Sequence, residues 1–361
     1  MQVDDGWQKA TGDWTVNAKF APRWAALPSL VRAQGSVPGG YIAPLLVAEN
    51  LPVVRDHPDW LQRDADGQPS VRFGGGGAAR LVLDPEHPYA QDYMRAPFER
   101  ARAEGRGYTK IDFTYPIAAS RQRNANQNFG AQSKQLTSFQ SQQNLYRMFR
   151  EAAGPEMHLN ACVGEPARYA VGTVDACRLY GDIGTEWKTV RENLVPLLIH
   201  APVGGRWFAA DPDVFYMRRE KNALTDEENW LLTGSVGLIG GLFLTSDLPS
   251  QWSAEARARV SRFWNAQGPR APNSQRILFS ADGFPLAYRV SYSDGAPAHR
   301  VGLYNWTDTA IDTRAALGEL GLPPGLRLAP ASDAGMGIDR GRLMVGAQPP
   351  HSIRIADLVP A

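Results

Sequence analysis

Acidic and basic residues recur in this sequence where its apolar runs end. Asp4 and Asp5 close the first run, Lys110 and Asp112 close the run Tyr108 to Phe113, and Arg178 and Asp182 follow the run that starts at Cys177. On an extended strand, residues two apart share a face, so Lys110 and Asp112 project together. A lysine beside an aspartate holds the carboxylate ionised, as a nucleophile requires. Two carboxylates facing one cleft can divide the labour of glycoside hydrolysis, one attacking the anomeric carbon and the other protonating the leaving oxygen. Taken singly, each of these pairs reads first as a salt bridge.

Other residues invite plainer readings. His57, His158 and His200 lack the spacing of metal ligands, so no metal is expected. Trp7 and Trp60 read as packing residues, although aromatic faces also stack on sugar rings. Cys177 suits a buried small hydrophobe. Asp211 and Asp213 can be read as site acids at a strand end, but read first as structural hydrogen-bond partners. The glycine run Gly74 to Gly77 has no Lys-Ser/Thr of a phosphate loop and is expected to be a flexible loop. The amide-rich stretch from Gln122 to Gln143 reads as a solvated loop entering a helix, directly after the strand that carries Asp112.

The elements that must position these groups alternate. β-type runs end at Val3 to Asp5, Tyr41 to Pro44, Tyr108 to Phe113, Met157 to Val163, Cys177 to Tyr180, Trp207 to Ala210 and Leu242 to Thr245. Helical stretches lie at Pro88 to Arg102, Ser138 to Ala153, Thr185 to Leu198, Thr225 to Leu238 and Ala254 to Asn265. Strand–helix alternation is the pattern of a parallel α/β fold, whose working groups sit at the C-terminal strand ends. Thr225 with Glu228 three residues on is a capping-box signal. After about Pro272 the texture changes to short alternating runs with turn signals, which predicts an antiparallel β-sandwich.

Composition bounds the partners. With 361 residues, 38 Lys+Arg against 37 Asp+Glu and a net charge of +1, the chain has no field to hold a polyanion, and nucleic acid is excluded as a default partner. A hydrophobic fraction of 43% excludes a disordered chain. Spanning a membrane takes about 20 apolar residues, and the longest apolar stretch, Val236 to Thr245, is shorter and broken by glycine. The chain therefore reads as soluble. Cys162 and Cys177 can make at most one bridge, which leaves the compartment open, and no signal peptide is visible after Met1, an abrupt start that also fits a chain that has lost one.

At this point the ordered motifs resemble a known family. Asp4-Asp5-Gly6-Trp7-Gln8, Gly12-Asp13-Trp14, His57-Pro58-Asp59-Trp60, Leu81-Val82-Leu83-Asp84, Lys110-Ile111-Asp112, Cys162-Val163-Gly164, Arg178 to Asp182 and Asp211-Pro212-Asp213 look like those of glycoside hydrolase family 36. These are the melibiase-type α-galactosidases, related to family 27. The resemblance extends to Leu303-Tyr304-Asn305-Trp306-Thr307 and Pro349-Pro350-His351, which are similar to the C-terminal β-domain of such enzymes.

The resemblance implies an α/β fold: a (β/α)8 TIM-type barrel over residues 1–272, followed by an antiparallel β-sandwich domain over 273–361. It implies a retaining exo-α-galactosidase with Asp112 as nucleophile and Asp182 as acid/base, the two carboxyls about 5–5.5 Å apart. Asp4 and Asp5 match the pair that accepts from O4 and O6 of a terminal galactose. Lys110 and Arg178 match donors to ring hydroxyls, and Cys162 with Gly164 matches the small wall near O2. No cofactor is implied, the partner is a small carbohydrate, and the oligomeric state is left open. A hydrolase or transglycosylase for another galacto-configured sugar, such as an α-N-acetylgalactosaminide or β-L-arabinopyranoside, or an inactive sugar-binding barrel, fits the same motifs.

Two positions depart from the family pattern. Tyr41 stands where tryptophan is frequent, and Glu165-Pro166-Ala167-Arg168 replaces a glycine-rich run. The match also begins at what would be barrel strand 2. That implies a barrel lacking strand 1 and a chain that is poorly active alone, because its sheet would keep unpaired edges.

Overall fold

Parallel strands cannot be joined by tight turns, and the helices read from the sequence serve as their crossovers. The computed structural model describes every residue except 64–66, 74–77, 115–135, 165, 266–267, 270–271 and 294. The glycine run at 74–77 and most of the amide-rich stretch therefore lie outside the described residues. The chain divides into two compact units, Met1–Val163 with Ala167–Cys177 and Gly164–Pro166 with Arg178–Ala361.

In the first unit, Gln2–Val3, Gly39–Ile42, Tyr108–Asp112, His158–Cys162 and the residues Ala176 and Cys177 lie side by side in chain order, all parallel. Register sets Val3 beside Gly40, Tyr41 beside Lys110, and Asp112 beside Cys162. The C-terminal ends of the first four strands thus share one edge. Helices Pro88–Ala103 and Ser138–Ala153 make two of the crossovers and pack through Phe98 on Phe149, with ring centroids 4.7 Å apart. The second of these helices starts at a complete capping box, in which Thr137 and Gln140 each satisfy the other's backbone N–H.

Some elements of this unit are absent from the sequence reading. Among them are the hairpin of Gln8–Ala10 with Asp13–Val16, the helix Leu27–Ala33, and a three-stranded antiparallel sheet of Leu46–Ala48, Arg80–Val82 and Val71–Phe73.

The second unit holds strand Ala209–Asp211, the parallel pair Val214–Phe215 and Leu244–Thr245, and helices Trp187–His200, Asp226–Ile239 and Ala254–Ser261. Asp226–Ile239 is capped by the expected Thr225–Glu228 box and stopped by Gly240 in the left-handed conformation at φ 68°. Every residue from Glu228 to Ile239 is buried. Gly234 lets the helix lie directly on the sheet, since a Cβ there would stand 2.8 Å from Ile355 Cδ1. The last helix ends at Ser261, short of the expected Asn265, because Trp264–Asn265 already pairs with Gly268–Pro269 as a short hairpin.

Two antiparallel sheets follow. One runs in the order Ser274–Phe279, Pro285–Ser291, His299–Asn305, Ser352–Pro360, Leu326–Leu328, and the other in the order Ile311–Ala316, Arg342–Gln348, Met336–Asp339. Their inner faces meet in one core that includes Val301, Leu303 and Leu358 from the first sheet and Leu343 and Val345 from the second. No helix among the described residues is long and apolar enough to cross a membrane.

Candidate active site

The site is best built from the Tyr108–Asp112 strand. Thr109 and Ile111 are buried on one face, and strict alternation turns Tyr108, Lys110 and Asp112 to the other. Lys110 Nζ stands 4.0 Å from Asp112 Oδ2 and donates to Asp4 Oδ2 at 3.1 Å. One ammonium thus links the carboxylates of two strand ends. Asp112 is only 14% exposed at its side chain, against 53% for Asp4. Its Oδ1 accepts from the Phe113 backbone N–H at 2.8 Å, where the chain turns off the strand with Phe113 at φ 55°.

Asp4 and Asp5 sit in the turn after Val3 and are exposed. Asp4 accepts from Gln2 Nε2 at 2.6 Å and Asp5 from Gln8 Nε2 at 2.6 Å. Amide donors hold both acids, and neither is closed off from solvent. Cys162, a buried free thiol, lies opposite Asp112 on the neighbouring strand.

Tyr41 completes this cluster and was not among the residues singled out for chemistry. Lys110 Nζ lies 5.5 Å from its ring centroid. Burial raises its phenol far above the usual range, and Asp112, Asp5 and Asp4 raise it further, so it stays protonated. Its backbone carbonyl accepts from Trp7 Nε1 at 2.9 Å. Trp7 is buried and stacked on Trp24 at 4.6 Å, which makes it a packing residue of the strand end.

In the second unit the chemistry gathers on Arg178. This guanidinium is 4% exposed and meets three carboxylates: Asp182 at 2.8 Å, Asp211 at 3.3 Å and Asp213 at 2.9 Å. A buried cation needs such partners. Asp211 and Asp213 are therefore structural partners, the reading favoured from the sequence, but partners of an arginine, a pairing concealed by distance along the chain. Asp182 differs from both in being 88% exposed at its side chain. Burial pushes the Asp213 carboxyl up to about 6; Arg178 pulls it down, Asp211 pushes it up, the Ile183 N–H at 2.7 Å pulls it down, and Asp182 pushes it up. Gly164 lies in this unit with φ 76° and open space where a Cβ would be.

The structure thus brings Asp4, Lys110 and Asp112 together with Cys162 beside them, and separately brings Arg178 to Asp182. Asp5 has its bonds with Gln8 and Gly6. Among the described residues, no group of three His, Cys, Asp or Glu could hold a metal ion.

No family model matches the chain. An alpha-galactosidase from Thermus thermophilus, solved with stachyose, is 29% identical, with a TM-score of 0.60 over 73% of this chain and 57% of that one. This chain is thus similar to α-galactosidases of the melibiase type. A family 27 β-L-arabinopyranosidase from Geobacillus stearothermophilus shares the fold at 13% identity, with a TM-score of 0.72 over 100% of this chain and 87% of that one. A family 36 alpha-galactosidase from the same organism, solved with 1-deoxygalactonojirimycin, gives 15% identity and a TM-score of 0.59 over 99% of this chain and 51% of that one. The chain spans less than two thirds of the Thermus enzyme's length.

Proposed function

We propose that this chain carries the catalytic machinery of a retaining exo-α-galactosidase, with residues 1–272 as a barrel and 273–361 as a β-domain. The observation that supports it most is the row Asp4, Lys110, Asp112. It sets a shielded carboxylate beside a cation, next to an exposed acceptor fit for a sugar hydroxyl. The alpha-galactosidase relative from Thermus thermophilus adds support for the sugar.

In this reading an Asp112 carboxylate oxygen attacks the anomeric carbon as the bond to the aglycone oxygen breaks, and Asp182 gives that oxygen its proton. Water then attacks the same carbon while Asp182 takes a proton from it, and Asp112 leaves as a carboxylate. The exposure of Asp182 suits a group that must serve both an aglycone and a water. Asp4 and Asp5 accept from O4 and O6, Lys110 and Arg178 donate to ring hydroxyls, and Cys162 with Gly164 lines the space near O2. A panel of aryl glycosides tests the sugar. Release from the α-galactoside well above the α-N-acetylgalactosaminide, β-L-arabinopyranoside and α-glucoside is expected, and preference for another member would reassign the substrate.

A further inference from the structure

A guanidinium is a rigid planar fork, so fixing two of its sides fixes where the third points. Arg178 sets Nε 3.3 Å from an Asp211 oxygen as an ion pair, Nη2 2.9 Å from Asp213, and Nη1 2.8 Å from Asp182. Asp211 is fully buried and the Asp213 side chain is 10% exposed, whereas Asp182 is open to solvent. Asp213 is itself anchored: its N–H donates to Asp211 Oδ1 at 2.8 Å and its Oδ2 accepts from Ile183 N–H, the residue directly after Asp182.

We propose that Asp213 is a positioning residue that acts through Arg178, fixing the guanidinium so that Asp182 is presented in one place and its charge is coupled to a buried carboxyl. This rests on reading Asp182 as the acid/base. The charged and titratable groups that face Asp213 are Arg178 and Asp182, then Asp211 at the end of the preceding strand, and the phenol of Tyr216, beside which stand Arg218 and Asp247. Arg178 favours the ionised form of Asp213 and the acids oppose it.

Carbon-13 NMR of the full chain, labelled at the aspartate carboxyls, tests the coupling without turnover. The Asp213 signal is identified by its loss from Asp213→Asn, a residue type that accepts the φ of 68° found there, or from Asp213→Gly should that variant not fold. Its midpoint should stand near about 6 in the wild type. It should fall in Asp182→Asn, which removes both a like charge and a competitor for Arg178. It should not move in Asp226→Asn, whose carboxylate pairs with Arg219 instead. A midpoint that is the same in Asp182→Asn as in the wild type would overturn the proposal.

Kinetics add a readout that a purely structural role would not move. Asp213→Asn should lose at least about tenfold more kcat on methyl α-galactoside, whose leaving group needs a proton, than on 2,4-dinitrophenyl α-galactoside, which does not. Equal losses on the two substrates overturn the positioning role. If Asp182→Ala shows no such leaving-group dependence, the acid/base reading fails, and the NMR midpoint still judges the coupling.

Discussion

At the scale of single residues, the proposed chemistry depends on charges that are shielded or shared. Asp112→Asn should lose several powers of ten in turnover while melting like the wild type, because it removes the attacking anion and little packing. Kinetics on an aryl α-galactoside together with a circular-dichroism melt check this, and an active, folded variant would remove Asp112 from its role. Asp5→Ala should cost the α-galactoside far more kcat/KM than the α-glucoside, since a fixed acceptor discriminates by hydroxyl direction. Asp213 carries a pH signature of its own. Its folded-state pKa lies above the ordinary 3.8, so its contribution to stability is full below about 3.8 and is lost as pH rises through about 6. Relative to Asp213→Asn, the wild type should therefore lose stability between those values in urea melts, and parallel curves would refute this. Lys110 with Asp112 was legible in the sequence because a strand repeats every two residues. The Arg178–Asp213 pair was not, because the fold alone joins residues so far apart, and Asp213 adopts a left-handed φ that its residue type only permits.

Elements were legible where they were long. The helices Pro88–Ala103 and Ser138–Ala153 stand within a residue of their expected spans, because sixteen residues carry several turns of pattern and a clear stop. Leu46–Ala48 and Arg80–Val82 are three residues each, too short to show a period, and their pairing is non-local. Capping was read correctly at Thr225, where the side chain accepts from the Glu228 N–H and Glu228 accepts from the Thr225 N–H. Thr225→Ala should cost about 1 kcal/mol, measurable as a lower denaturant midpoint with an unchanged slope. A midpoint equal to the wild type would mean that the helix, buried along nearly its whole length, is held by packing alone.

For the whole molecule, near-balanced charge and a neutral proposed substrate predict a weak salt dependence. kcat/KM should change less than about twofold as salt rises from about 20 to about 500 mM, since no long-range steering is at work. A steep salt dependence would point to a charged substrate. The chain covers only 57% of the Thermus alpha-galactosidase and 51% of the family 36 enzyme from Geobacillus, so its activity has to be measured on this chain itself. The most direct measurement is proton NMR of the first sugar released from p-nitrophenyl α-D-galactopyranoside, run on the wild type and on Asp112→Asn. A retaining enzyme with Asp112 as nucleophile releases α-galactose first, and the variant is silent. First appearance of the β-anomer, or release by Asp112→Asn at the wild-type rate, would contradict it.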